Sequence, residues 1–168
     1  MDFFVWFAWI EQTGFSTWLR ESPSLLAFPS VIVLHTVGLA FLVGTNIAVD
    51  LRILGFASRI PLAPMERFFP VMWAGFWVNA ASGVALLIAY PAKAFTDPVF
   101  YIKLLCIALG VTSIRMIQKQ VFGDPSLDAR AVPRKSKLLA GASLFFWIGA
   151  ITAGRLLAYT ATRFMAYD

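Results

Sequence analysis

Four long apolar segments constrain this chain more than any other feature. They cover about residues 24–49, 68–90, 98–122 and 137–162, and each reaches the roughly 20 residues that an α-helix needs to cross the hydrocarbon core of a bilayer. Charged residues make up only 14% of the chain, against about 25% in soluble domains. The sequence therefore predicts an all-α fold, an integral-membrane four-helix bundle that forms a single domain over residues 1–168.

A shorter aromatic segment precedes the first of these runs. Residues 3–10, FFVWFAWI, are apolar but too few to cross a bilayer, and a polar break at residues 11–14 separates them from further aromatic side chains. Because Trp favours the membrane–water interface, we predict an N-terminal interfacial amphipathic helix over residues 3–20. The alternative is a docking surface for a partner subunit. No basic residue precedes this segment, so no cleavable signal peptide is predicted.

Proline and capping residues mark the predicted helix ends. Ser-Pro at 22–23 predicts the start of the first span, since Ser caps helices and Pro suits the first helical position. Pro29 predicts a kink or a fresh helix start. Asp-Pro at 97–98 predicts the start of the third span, and Gly-Asp-Pro at 123–125 predicts its end.

Lysine and arginine are concentrated in two of the three connections between spans. The first connection carries Arg52, Arg59 and Arg67, the second has only Lys93, and the third carries Arg115, Lys119, Arg130, Arg134, Lys135 and Lys137. By the positive-inside rule, we expect the two basic connections in the cytoplasm, and both termini and the turn at 91–97 in the periplasm. The predicted location is thus the bacterial inner membrane.

The distribution of lysine and arginine also limits which partners are expected. The net charge of +5 is explained by basic residues beside membrane spans, so nucleic acid is rejected as a partner. The expected partners are the lipid bilayer and either other membrane-protein subunits or further copies of this chain.

Polar residues inside the spans are the candidate functional residues, because they cost free energy in a membrane. His35 is the only histidine, and Asn46 and Asp50 follow it at +11 and +15, within roughly 60° of it on a helix. We expect this stripe to face the bundle interior, with Gly38 beside it allowing close approach of another helix or a flat ring. His35 is a candidate axial ligand of haem iron, or a proton or quinone contact. The alternative is a histidine hydrogen-bonded to a neighbouring helix.

Two cations lie at similar depth near the periplasmic ends of spans three and four. Lys103 and Arg155, with Tyr159 one turn beyond, would suit an anionic group such as a haem propionate or a lipid phosphate. The alternatives are snorkelling of Arg155 to the headgroups and neutralisation by Glu21 or Asp97. There is no second histidine, cysteine pair or carboxylate pair in a span, so no catalytic activity of its own is predicted.

The chain resembles a bacterial family of small four-helix inner-membrane proteins that is known only as a domain of unknown function. The resemblance lies in LHTVGLAFLVGTNIAVDLRILGF (34–56), DPVFYIKLLCIALG (97–110) and ITAGRLLAY (151–159), and is looser to cytochrome-b-like and copper-resistance-type membrane bundles. Many family members carry a further histidine near the cytoplasmic end of span three, where this chain has SIRMIQKQ (113–120). The resemblance therefore implies that two-histidine haem ligation is not available here, which leaves Met72 or Met116 as a second axial ligand.

Three functions are compatible with these features. We favour a small subunit of a larger inner-membrane complex, such as a redox complex, that acts in assembly or stabilisation. The alternative is a b-type haem or quinone-binding electron carrier that uses His35. A transporter or channel is a weaker third hypothesis, because the four spans carry few acidic residues.

Overall fold

A computed structural model describes residues 3–123, 128 and 131–164 of the chain. Arg130 and the two termini, whose periplasmic location the sequence predicts, lie outside the described residues. Within them the chain forms seven α-helices, one short 3-10 helix over Ala63–Arg67 and no β-strand. The α-helices are α1 Phe3–Glu11, α2 Gly14–Glu21, α3 Phe28–Leu54, α4 Phe68–Ala89, α5 Pro91–Thr96, α6 Pro98–Gln120 and α7 Arg134–Phe164.

Four of these helices are long and apolar enough to cross a membrane. They occupy Phe28–Leu54, Ala63–Ala89 (α4 with the 3-10 helix before it), Pro98–Gln120 and Arg134–Tyr159. At 1.5 Å per residue, the 27 residues of α3 extend about 40 Å, more than the hydrocarbon thickness of a bilayer. The prediction of an all-α bundle with four helices of membrane-spanning length is confirmed.

The first long helix starts later than the Ser-Pro pair suggested. Ser22 instead ends α2, where its amide donates to the carbonyl of Trp18 over 3.1 Å. The long helix begins at Phe28 with Pro29 in its first turn, a position where the missing N–H of proline has no partner to lose. Pro29 therefore marks a fresh helix start rather than a kink.

Two short helices stand where the sequence predicted one interfacial helix. Gln12 and Thr13 separate α1 from α2, and the Thr13 hydroxyl accepts from the Ser16 amide at the start of α2. Both helices pack on α4, and α1 also packs on α5. In α2, the Ser16 hydroxyl donates to the Ile88 carbonyl over 3.1 Å, and Leu19 is fully buried. We call the end of the bundle that carries α1, α2 and α5 the capped end.

The opposite end, which we call the basic end, is formed by the connections 55–67 and 121–133. Gly55 ends α3 in the left-handed conformation, with φ of 112°, which glycine adopts without steric cost. Arg52 then holds the following loop, because its guanidinium donates to the carbonyls of Ser58 and Ile60.

Two helical hairpins make up the bundle. The helices α3 and α4 pack along each other, as do α6 and α7, and contact between α3 and α7 joins the two pairs. The hydrophobic core lies in the half of the bundle nearer the basic end and includes Leu42, Ile53, Met72, Ile117 and Trp147.

The half nearer the capped end is filled differently. There the buried residues of the four long helices are small, namely Gly38, Ser82, Ala89 and Ala153. The described side chains of this capped half therefore include no large buried hydrophobe from the long helices. His35 and Lys103 lie in this half, and both are half-buried.

Candidate functional site: His35 and Lys103 in the capped half

His35 is fixed to α4 by hydrogen bonds in both directions. Its Nδ1 lies 3.0 Å from the carbonyl oxygen of Asn79 and 3.1 Å from the hydroxyl of Ser82, and the Asn79 side-chain amide donates back to the His35 carbonyl over 2.7 Å. Asn79 and Ser82 of α4 are thus the interhelical partners of His35. These contacts match the second interpretation of His35, that of a histidine hydrogen-bonded to a neighbouring helix.

The partners of Nδ1 also determine which ring nitrogen of His35 carries the hydrogen. The Asn79 carbonyl can only accept, and the Ser82 hydroxyl already donates to the Val78 carbonyl over 2.7 Å. Nδ1 must therefore carry the hydrogen, which leaves Nε2 of the neutral ring with a free lone pair. An imidazole held in this way is also the usual arrangement of a metal-ligating histidine, so the helix contact does not exclude a ligand at Nε2.

Gly38 lies at the closest approach of α3 to α4. A Cβ atom there would stand 2.7 Å from the Asn79 amide nitrogen and 2.9 Å from the Gly75 carbonyl oxygen. The backbone of α4 thus occupies the space in front of Gly38, where the sequence left open either a helix or a flat ring. Gly83 plays a similar part beside the histidine, because a Cβ there would be 3.2 Å from Cε1 of His35.

Lys103 brings a positive charge to the same level. The end of its side chain packs against Gly154 of α7, and its charge is near enough to act on His35. It is half-buried, and within the described part of the chain it forms no ion pair. His35 thus offers a free acceptor, and Lys103 a donor without an ion pair, at a similar level of the bundle.

Arg155 does not share the environment of Lys103. It follows Gly154, so the two cations lie at one level of the α6–α7 interface, as the sequence suggested. The Arg155 side chain, however, is exposed, and its guanidinium lies 5.9 Å from the ring centre of Tyr159, which is also exposed. The shared anion site of Lys103 and Arg155 stays a prediction, and Arg155 with Tyr159 matches the snorkelling alternative.

Asn46 belongs to a different cluster. Its side-chain amide donates to the Asp50 carboxylate over 2.6 Å and to the Ser143 hydroxyl of α7 over 3.0 Å, about 16 Å along α3 from His35. The prediction that His35, Asn46 and Asp50 face other helices is confirmed. The stripe faces the seam between α4 and α7, so His35 binds one neighbour while Asn46 and Asp50 bind the other.

Neither methionine considered as a second haem ligand lies at the level of His35. Met72 precedes Asn79 by seven residues on α4, or about 10 Å, and is buried in the basic-half core. Met116 is exposed on α6, thirteen residues from Lys103. In the described residues no group of three or more His, Cys, Asp or Glu could hold a metal ion.

The basic end carries a further contact that the sequence did not reveal. The carboxylate of Asp128 accepts hydrogen bonds from the backbone amides of Leu62 and Ala63, over 2.7 Å and 3.0 Å. These two bonds hold the pKa of Asp128 below its ordinary value. The contact joins the two basic connections, and a single exposed acid in a loop gives no sequence signal of such a partner.

Comparisons with known proteins assign no role to this site. No family model, no curated protein and no solved structure matches the chain. The resemblance to the four-helix inner-membrane family therefore stays a prediction, and the functional argument depends on the site itself.

Proposed function

We propose that the protein is a small integral-membrane subunit of a bacterial inner-membrane redox complex, and that its capped half binds the headgroup of a lipid-soluble quinone. The observation that supports this is that a free acceptor, Nε2 of His35, and a donor without an ion pair in the described residues, Lys103, lie at a similar level of the bundle. They lie where the buried residues of the long helices are small. The described residues bring together no catalytic constellation, so the chain would contribute binding rather than a reaction.

The chemistry of a quinone headgroup matches this pair. The oxidised ring presents carbonyl oxygens, which accept hydrogen bonds, and the reduced ring presents hydroxyls, which also donate. The Lys103 ammonium can donate to a carbonyl oxygen, and Nε2 of His35 can accept from a hydroxyl. The hydrogen bond from Nδ1 to the Asn79 carbonyl keeps Nε2 in the accepting state, while the apolar tail would remain among the lipids.

A b-type haem is the second candidate, and the orientation of His35 favours it. An imidazole that donates through Nδ1 to a backbone carbonyl is well prepared to bind iron through Nε2, and Lys103 would suit a propionate. Since Met72 and Met116 lie at other levels, a second axial ligand would have to come from outside the described residues. The quinone needs no such ligand and is therefore preferred.

The proposed placement in the membrane follows the distribution of charge. With Arg52, Arg59 and Arg67 in one basic connection and Lys135 and Lys137 at the other, the basic end lies in the cytoplasm. The capped end, both termini and the quinone site then lie on the periplasmic side.

The two N-terminal helices would lie in the periplasmic membrane interface. Their exposed side chains include Trp6, Trp9, Phe15 and Trp18, which suit the headgroup level of a bilayer. The same aromatic surface would serve for contact with other subunits or with a second copy of the chain.

Two measurements on the purified protein in lipid nanodiscs test the proposal. We expect no Soret band, and we expect a photoreactive quinone to label the protein in competition with a short-tailed quinone. His35→Leu and Lys103→Gln should each weaken quinone binding by about tenfold or more, equivalent to about 1.4 kcal/mol. Lys93→Gln is the matched control, because it removes a cation of the capped end that lies outside the site, over the ring of Tyr90.

Each outcome separates the candidates. A Soret band that His35→Leu abolishes would replace the quinone by a haem. Absence of both a Soret band and competitive quinone labelling would overturn the ligand-binding function altogether.

A further inference from the structure

A second polar cluster lies in the basic half, away from the quinone site. Asp50 is completely buried, and one of its carboxylate oxygens, Oδ2, accepts from the Asn46 amide over 2.6 Å. The same Asn46 amide also donates to the Ser143 hydroxyl of α7 over 3.0 Å, which places that hydroxyl beside the carboxyl group. The other oxygen, Oδ1, is buried without a hydrogen-bond partner in the described structure.

A buried carboxylate oxygen without a hydrogen-bond partner costs free energy. A carboxylate that is removed from water without a cation loses several kcal/mol of solvation free energy, and membrane helices rarely contain one without a function. Within the described residues no ion pair reaches Asp50. The groups that face it are neutral: Asn46 from α3 and Ser143 from α7.

The groups around Asp50 determine which cation could neutralise its carboxylate. A cation such as Ca²⁺ takes at least about six oxygen ligands, whereas the cluster offers one free carboxylate oxygen, one hydroxyl and one amide oxygen. Val49, Ile53 and Trp147 are also buried in the same core and fill the space that further ligands would need. A proton requires neither ligands nor space, and on Oδ1 it removes the charge.

A water-accessible cleft lies one helical turn along α3 from Asp50. It has a volume of about 240 Å³, opens at the basic end and is lined by Arg52, Ile53, Asp128 and Lys137, among others. Ile53 follows Asp50 by three residues, or about 4.5 Å along the axis of α3. Two charged groups of this cleft are engaged, since Arg52 binds the loop carbonyls of Ser58 and Ile60 and Asp128 binds the amides of Leu62 and Ala63. Lys137 adds a positive charge to the lining.

We infer that Asp50 is a proton-binding site that exchanges protons with the basic-end cleft and is occupied at neutral pH. On uptake, a hydronium ion in the cleft gives its proton to the carboxylate, an O–H bond forms on Oδ1 and a water molecule remains. On release, the same bond breaks and the proton returns to water. This site is independent of the proposed quinone site, because His35 and Lys103 take no part in it.

Infrared spectroscopy of the full chain in nanodiscs tests the inference. A protonated carboxylic acid gives a C=O stretching band that is separate from the carboxylate bands and shifts downward in D₂O. We expect this band at neutral pH in the wild type, its loss in Asp50→Asn and its disappearance at alkaline pH. Glu66→Gln, which removes an exposed acid at the basic end, should leave it unchanged.

A second variant keeps the test decisive if Asp50→Asn does not fold. Ser143→Ala removes the hydroxyl that Asn46 holds beside the carboxyl group but keeps the acid, so the C=O band should persist and shift in frequency. A wild-type spectrum without the acid band at neutral pH would overturn the inference. So would a band that neither Asp50→Asn nor Ser143→Ala alters.

Discussion

His35 and Asn79 hold each other through two hydrogen bonds that run in opposite directions between α3 and α4. The histidine ring donates to the Asn79 carbonyl over 3.0 Å, and the asparagine amide donates to the His35 carbonyl over 2.7 Å. One pair of residues thus sets both the spacing of the two helices and the orientation of the imidazole. The helix contact uses Nδ1 of the ring, whereas the proposed ligand site uses Nε2 of the same ring.

Replacement of Asn79 by leucine should destabilise the α3–α4 hairpin. The variant loses the bond to the His35 carbonyl, and interhelical hydrogen bonds in membranes contribute about 0.6–1.7 kcal/mol. Unfolding of the protein in micelles measures the free-energy difference. Thr36→Val is the control, because the Thr36 hydroxyl bonds only within its own helix, to Ile32. Equal unfolding free energies for both variants would contradict the role of Asn79.

Gly38→Ala should cost more than Gly44→Ala, although both glycines lie on α3. A methyl group at Gly38 would meet the backbone of α4 at 2.7 Å and 2.9 Å, and backbone cannot move aside cheaply, whereas nothing lies within 4 Å of a methyl group at Gly44. Overpacking of this kind costs about 1–3 kcal/mol. Thermal unfolding in detergent compares the two variants, and a Gly38→Ala protein as stable as Gly44→Ala would refute the close contact.

Asp128 should protect the amides of Leu62 and Ala63 from hydrogen exchange in a pH-dependent way. Their hydrogen bonds lower the pKa of Asp128 in the folded protein from its ordinary 3.8. The contact is therefore fully formed above pH 3.8 and is lost as the pH falls through the lower folded value. Exchange of these amides, corrected for its intrinsic pH dependence, reports the change.

The matched variants for that experiment are Asp128→Asn and Glu21→Gln. Asp128→Asn should expose both amides at neutral pH, whereas Glu21→Gln, at the capped end, should leave them protected. Protection that survives in Asp128→Asn would show that another group holds this loop.

Thiol labelling of intact cells checks the orientation in the membrane. In a Cys106→Ser background, cysteines at Ser58 and Ser126 should resist an impermeant reagent, because both basic connections are expected in the cytoplasm. A cysteine at Ser24, near the capped end, should react. The reverse pattern would place the basic end outside the cell.

The sequence predicted the long helices because hydrophobic length and proline positions are local properties. Asp97 caps α6 as expected, with its carboxylate accepting from the Val99 amide over 2.8 Å. The start of α3 was misplaced because Ser-Pro can follow one helix as well as begin another. Ser22 is the C-terminal cap of the preceding helix, α2.

The sequence revealed the ionisable residues of the site but not their partners. His35 and Asp50 stand out because ionisable residues are rare in spans, but their partners do not. Ser143 resembles any serine that bonds within its own helix, and the Asn79 carbonyl is backbone. Which neighbour each polar residue meets depends on how the hairpins pack, and helical periodicity gives only the face.

The uneven filling of the bundle determines how a ligand reaches His35. Large side chains join the two hairpins in the basic half, while the capped half is lined by small ones. If the proposed quinone binds there, it would enter between the hairpins sideways along the membrane plane. Its occupancy would then follow its mole fraction in the lipid and not its concentration in water.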